Sequence, residues 1–174
     1  SAYIVSGLRT AVGKAKKGGF RFVRPDDLAA NVIKSLVKKT KGLEGIMVDD
    51  LIVGNAVPEA EQGMQMGRYI SLLSLPKEVP GLVINRYCGS GLEAIHLACA
   101  KINAGSAECV IAGGTESMSM VPMTGYKSAL NYNISVNNPD YYLNMGLTAE
   151  KLAKKYDIKR EDSDLFSYNS HMKA

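Results

Sequence analysis

The sequence predicts an α/β protein built on a largely parallel sheet, and three observations carry that expectation. Short apolar runs alternate with longer amphipathic ones along the first 118 residues. The short runs are nearly continuous in apolar character, as strands buried on both faces are. A chain of 174 residues that is 46% hydrophobic supplies one well-packed core and hardly two.

Tyr3, Ile4 and Val5 are aromatic and β-branched and predict a first strand, and the Gly- and Lys-rich RTAVGKAKKGGFRFVRP predicts an ordered surface loop. Past Pro25, Asp26 and Asp27 stand where carboxylates complement a helix dipole. Leu28, Ala29, Val32, Ile33, Leu36 and Val37 then recur at helical spacing until Lys41 and Gly42 close that helix. DLIVGNAV, 50–57, predicts a second strand, and QGMQMGRYISLL, 62–73, a helix packed by Met64, Met66, Ile70 and Leu73. GLVIN, 81–85, and ECVIAGG, 108–114, predict buried strands on either side of a helix, SGLEAIHLACAKINAG, 90–105, that Gly105 ends.

After Met118 the periodicity stops. VPMTGYKSALNYNISVNNPDYYLN, rich in Pro and Asn, predicts a long loop or an insertion. Thr148 is the expected cap of AEKLAKKY, and REDSDLFSYNSHMKA predicts a last helix with Leu165, Phe166, Tyr168 and Met172 on its buried side. The organisation expected is a core part over 1–118 and a second part over 119–174.

The net charge of +4 comes mainly from scattered lysines such as Lys14, Lys16, Lys17, Lys38, Lys39 and Lys41, which predict solvated faces compatible with an acidic ligand. Nucleic acid is not an expected partner, because Trp is absent and the tyrosines do not interleave with the basic residues. Cys88, Cys99 and Cys109 are odd in number and form no CxxC pair, which argues against a disulfide framework or a zinc site and for a reducing compartment. With no basic segment leading an apolar one, and no apolar run near the ~20 residues of a membrane helix, the expectation is a cytoplasmic protein without a membrane partner.

The stretch VINRYCGSGLEAI, 83–95, holds the candidate chemistry. Gly89, Gly91 and Ala94 satisfy G-x-G-x-x-A between a strand and a helix, the dinucleotide pattern. That reading fails in its context: Asn85, Arg86, Tyr87 and Cys88 intervene after the strand, and Glu108 opens the next strand where the ribose-binding acid should close it. A cysteine at a strand-to-helix junction sits where unpaired N–H groups and the helix dipole favour a thiolate. Gly89 and Gly91 would permit a tight turn with room for an acyl group, and the Cys88 N–H could help to hold an oxyanion. Cys99 and Cys109 lie inside apolar elements and predict packing residues. From these residues alone, Cys88 as a packed cysteine and Cys88 as a nucleophile both stay open. His96 is two helical turns further on and His171 lies in the late polar segment, so no base for the thiol is visible. His96 and Cys99 alone do not make a metal site.

NRYCGSGLEAI resembles the acyl-enzyme motif of the thiolases, and VIAGGTESMS, 110–119, resembles the segment that follows it in that family. RTAVGKAKKGGFRFVRPDDLA and NMGLTAEKLAKKYDIKREDSDLFSYNSHMKA are similar to thiolase sequence in the same order, so the resemblance covers the whole chain. It implies a layered α-β-α half with a mixed, mostly parallel sheet over 1–118, and the start of an inserted loop domain over 119–174. The implied reaction is acyl exchange between a 3-ketoacyl-CoA and CoA through an acyl thioester on Cys88. CoA thioesters are then the partners and no cofactor is implied. The resemblance adds support at Gly89 and Gly91, an acyl-pocket contact at Met145, and a homodimer or homotetramer of the full-length protein, organellar if the source is eukaryotic. Glu116 and Ser117 are expected to shape the loop beside the site.

PEAEQGMQMGRYISLLSLP and NRYC are similar to the degradative 3-ketoacyl-CoA enzymes of β-oxidation, and Asn144 stands where the biosynthetic acetoacetyl-CoA enzymes commonly carry His. The family's Asn-Glu-Ala-Phe, Gly-His-Pro and Cys-x-Gly-x-Gly segments are absent from these 174 residues. The expectation is therefore an N-terminal portion that is inactive alone. The alternatives are a biosynthetic thiolase, a non-catalytic partner subunit of a split enzyme, and a condensing enzyme of the ketoacyl-synthase type.

Overall fold

The computed structural model describes residues 1–174. The chain divides into two compact units, Ser1–Ser128 and Ala129–Ala174. In the first, strands β1 (Asp50–Gly54), β2 (Gly81–Ile84) and β3 (Val110–Gly114) make a sheet of order β2-β1-β3. Helices α1 (Pro25–Lys39), α2 (Met66–Ser74) and α3 (Ser90–Asn103) complete it. Both strand pairs are parallel, so each return needs a crossover, and α2 and α3 supply those after β1 and β2. Central β1 is buried at every residue, which is why its sequence is apolar without alternation from Leu51 to Val53.

The period-two geometry of β1 divides the core between two faces. Leu51 and Val53 pack with Ala30 and Ile33 of α1, Met66 and Ile70 of α2, and Ile111 of β3. Ile52 points the other way, onto Ala94 and Ala98 of α3, with Leu82, Ile84, Val110 and Ala112 beside it. The result is the expected three-layer α-β-α arrangement, with a sheet of three strands that is wholly parallel where a mixed one was expected. Small residues set the layer spacing: a Cβ on Gly67 of α2 would stand 2.5 Å from the carbonyl carbon of Leu82, so helix and strand backbones meet directly there.

α1 starts with Pro at its first position, carries Asp26 and Asp27 in its first turn, and ends on Lys38 and Lys39, which complements the helix dipole at both ends. Asp26 is buried and takes a fork from Arg24, with Nε at 3.0 Å from Oδ1 and Nη2 at 2.8 Å from Oδ2. That hydrogen-bonded contact raises the Arg24 guanidinium above its ordinary value. At the N-terminal end of the sheet, Asp49 Oδ2 accepts the N–H groups of Cys109 at 3.0 Å and Glu108 at 2.7 Å. These bonds, Cys109 first, hold the Asp49 carboxyl below the usual carboxylate range. Next to it, the buried Asp50 is paired with Lys101 of α3.

Several expected elements take a different form. Tyr3, Ile4 and Val5 are irregular and strongly exposed, because no strand edge gives them ladder hydrogen bonds. Met64 precedes α2 in a left-handed conformation (φ 50°) and is exposed, and Leu73 also faces outward, leaving Met66 and Ile70 to bury the helix. Residues 119–128 bond into the first unit: Lys16 N donates to Ser119 Oγ at 2.8 Å, and Tyr126 N to Glu59 Oε2 at 2.6 Å.

The second unit holds α4 (Tyr132–Asn137), α5 (Met145–Lys155) and α6 (Arg160–Lys173). Its Asn-rich start is more than loop, because Asn131 Oδ1 accepts the Ile134 N–H and starts α4. Asn144, not Thr148, caps α5: Asn144 Oδ1 accepts the Leu147 N–H, and Thr148 lies inside the helix with its hydroxyl on the Asn144 carbonyl. α6 forms as expected, yet Leu165, Phe166, Tyr168 and Met172 are all exposed. A helical unit this small has no core for that face to enter. No helix of the chain is long and apolar enough to cross a membrane.

Candidate active site

Cys88 sits on the turn that joins β2 to α3 and is exposed, while Cys99 and Cys109 are half-buried. The turn is closed from within. Ser90 is buried, and its hydroxyl accepts from Arg86 N at 2.8 Å and donates to Tyr87 O at 2.6 Å. Gly89 N and Ser90 N bond back to Arg86 O and Tyr87 O, both at 3.0 Å, whereas the Cys88 N–H donates to no other backbone group. The residue that bends the chain is Tyr87, held in the left-handed region at φ 45°. Gly89, at φ −88° and ψ 0°, has a conformation open to any residue, so the tightness of the turn rests on Tyr87 rather than on the glycines. Gly91 contributes space: a Cβ there would meet nothing within 4 Å.

Two glycines outside the stretch 83–95 bring this turn down onto the sheet. A Cβ on Gly54, the last residue of β1, would lie 2.6 Å from Gly91 N, and one on Gly114, the last of β3, would lie 3.0 Å from Gly54 O and 3.6 Å from Gly91 Cα. The start of α3 thus rests on the C-terminal ends of β1 and β3, the place where α/β folds put their ligand chemistry.

The loops leaving β1 and β3 are tied together around the same point. Glu116 accepts from Ala56 N and from Gln62 Nε2, each at 2.7 Å. The fully buried Gln62 also accepts from Ser117 N at 2.6 Å and donates to Val57 O at 2.8 Å. Asn55 donates to Thr115 O at 3.0 Å, and Asn85 donates to Ala56 O at 3.0 Å while accepting from Tyr87 N at 2.8 Å. Glu116 and Ser117 were expected to shape this loop, but the sequence pattern gave no sign of Gly54, Asn55, Gln62, Asn85 or Gly114. For Gly54, Asn55, Asn85 and Gly114 the one local signal is a Gly or Asn at a strand exit, and Gln62 has none.

Charge near the turn comes from Arg86, which pairs with Glu93 at 3.0 Å, and Glu93 also lies 3.9 Å from His96 Nδ1. His96 is exposed along α3, and no side chain of the unit hydrogen-bonds Cys88. Burial, and then the Asp49 carboxylate, push the Cys109 thiol up, which suits its reading as a packing residue. Met145 opens α5 of the second unit with its side chain exposed. A cavity of about 1190 Å³ lies between the N-terminal segment, α1, α3 and β3; Gly114, Glu116 and Ser117 line it and Cys88 does not.

The three-layer fold and the cysteine turn define a class, and the family model for the thiolase N-terminal domain matches residues 2–174. The chain belongs to that family. It is 52% identical over 174 residues to the 3-ketoacyl-CoA thiolase of Bacillus subtilis (strain 168), covering 99% of this chain and 44% of that protein. It is 40% identical to the 3-ketoacyl-CoA thiolase of Colwellia psychrerythraea and 38% to 3-ketoacyl-CoA thiolase FadA of Escherichia coli K12, covering 98% of this chain and 44% of each relative. The chain therefore spans less than half the length of the curated relatives it matches.

Proposed function

We propose that the protein containing this domain is a 3-ketoacyl-CoA thiolase that works in β-oxidation through an acyl thioester on Cys88. The observation that carries the reading is an exposed cysteine at the start of α3, with its own N–H unclaimed by other backbone groups and open space over Gly91. The Cys88 thiolate adds to the C3 carbonyl of a 3-ketoacyl-CoA. The C2–C3 bond breaks with its electron pair on C2, and protonation there gives acetyl-CoA. The thiolate of a second CoA then attacks the acyl-enzyme carbonyl and expels the Cys88 thiolate. A sulfur nucleophile suits both halves, because the thioester it forms is one another thiol can cleave. The backbone N–H of Cys88 supports the oxyanion, Gly89 and Gly91 leave the approach open, and Met145 contributes to the acyl pocket.

No base faces Cys88 in these residues, so the reading holds that residues 1–174 alone do not turn over. Membership of the thiolase family extends the reading to a cytoplasmic homodimer or homotetramer of the full-length protein. The relatives named for 3-ketoacyl-CoA favour this over acetoacetyl-CoA synthesis. The test is mass spectrometry of the protein from its complete gene after brief mixing with a 3-ketoacyl-CoA. An acyl adduct should map to Cys88 and disappear on adding CoA. An adduct on Cys99 or Cys109, or none in a protein that turns over, rejects the reading.

A further inference from the structure

We propose that Asn85 positions the Cys88 nucleophile, and that Glu116 acts through Ala56 to hold Asn85. This rests on the reading of Cys88 as the acylated residue. The Asn85 side chain is a bridge with two ends: Oδ1 accepts the N–H of Tyr87, the residue before Cys88, at 2.8 Å, and Nδ2 donates to Ala56 O at 3.0 Å. Ala56 gives its own N–H to Glu116 Oε2 at 2.7 Å. An unbroken chain of contacts thus runs from the loop after β3, through the loop after β1, to the cysteine turn. Its far end is anchored in the interior by the fully buried Gln62, which joins the other Glu116 oxygen to Ser117 N and Val57 O.

Each member has the chemistry its place requires. Glu116 meets two N–H donors with two acceptor oxygens, and a neutral amide of the same shape would turn an NH2 group against one of them. Asn85 must accept at one end and donate at the other, and an Asp there would set an acceptor against the Ala56 carbonyl. The bridge matters because Tyr87 is left-handed, at φ 45°, a conformation that strains a side-chain-bearing residue and persists only where its surroundings enforce it. Without the Asn85 acceptor the turn relaxes and the Cys88 sulfur leaves its place. Asn85 and Glu116 are both exposed, so replacing them opens no hole in the core.

The experiment compares Asn85→Ala, Asn85→Asp, Glu116→Gln and the double variant Asn85→Ala/Glu116→Gln in the protein from its complete gene. The rate constant for alkylation of Cys88 by iodoacetamide, resolved by peptide mapping, is read beside kcat and KM for thiolysis of acetoacetyl-CoA. Each single change should lower both kcat and Cys88 alkylation by roughly tenfold or more, with KM within about twofold of the parent. The double variant should be no worse than Asn85→Ala alone, since both changes break one chain. Cys99 and Cys109 should keep the parent labelling rates. Parent-rate alkylation in Asn85→Asp and Glu116→Gln overturns the proposal, as do effects that multiply in the double variant, or a loss at Cys88 matched by exposure of Cys99 and Cys109. A parent protein that alkylates at Cys88 but never transfers an acyl group rejects the functional reading alone, and the alkylation rates then still decide the positioning role.

Discussion

Gly54 and Gly91 stand so close that a Cβ on the first would lie 2.6 Å from the backbone nitrogen of the second. The last residue of β1 and the start of α3 therefore share a space that only glycine at position 54 leaves free. Gly54→Ala should force the start of α3 off the sheet, at about 1–3 kcal/mol of stability, the usual cost of overpacking. Cys88 rides on that turn, so its alkylation rate should fall with the melting temperature. A variant that melts and alkylates like the parent would show that the helix start is free to move.

Ser90 closes the turn from inside, accepting from Arg86 N and donating to Tyr87 O. Because Ser90 is buried, Ser90→Ala leaves Arg86 N without its acceptor and Tyr87 O with the Ser90 N–H alone, and should cost about 1–3 kcal/mol in urea unfolding. Ser90→Cys offers a weaker donor and acceptor and should fall between the two. Equal stability of Ser90→Ala and the parent would mean that water reaches those groups.

The parts of this structure legible in the sequence are those whose cause is local. DLIVG reads as a strand because burial on both faces removes polar alternation, VIAGG reads as one from its short apolar run although only Ile111 is buried, and α1 reads as a helix from its Pro, its first-turn acids and its 3.6-residue spacing. Cys88 stood out because a strand-to-helix junction is a local feature. What was missed depends on distant partners. Glu116 and Gln62 meet across 54 residues of sequence, and Asn85 meets Ala56 across 29. Gly54 carries no local mark of its role, because its constraint comes from Ser90 and Gly91 at the start of α3. Tyr3–Val5 and the apolar side of α6 failed for the same reason in reverse: a β-branched run needs an edge, and an amphipathic face needs a core.

Asp49 ties acid stability to the base of the sheet. Its folded pKa is lowered by the Cys109 and Glu108 N–H groups, so its contribution is complete above the unfolded value of ~3.9 and is lost as pH falls through the lower folded value. Asp49→Asn can keep the acceptor without the charge. The gap in urea midpoint between parent and Asp49→Asn should be constant near neutrality and shrink below pH ~4. A gap that widens on acidification would contradict the assignment.

Asp50 and Lys101 make the one ion pair that joins α3 to β1, and the two partners differ in burial. Asp50 is buried with Oδ1 unpartnered, while the Lys101 side chain is 32% exposed. Lys101→Met removes the only countercharge from a carboxylate that water does not reach, and should destabilise the fold by roughly 1–3 kcal/mol, below the figure for a fully desolvated pair because Lys101 is partly solvated. Lys101→Met/Asp50→Val removes the stranded charge as well and suits a strand position, so it should recover most of the loss. Denaturant titration of parent, single and double variants reads this directly. A double variant less stable than Lys101→Met would show that Asp50 supports the sheet through contacts other than this pair.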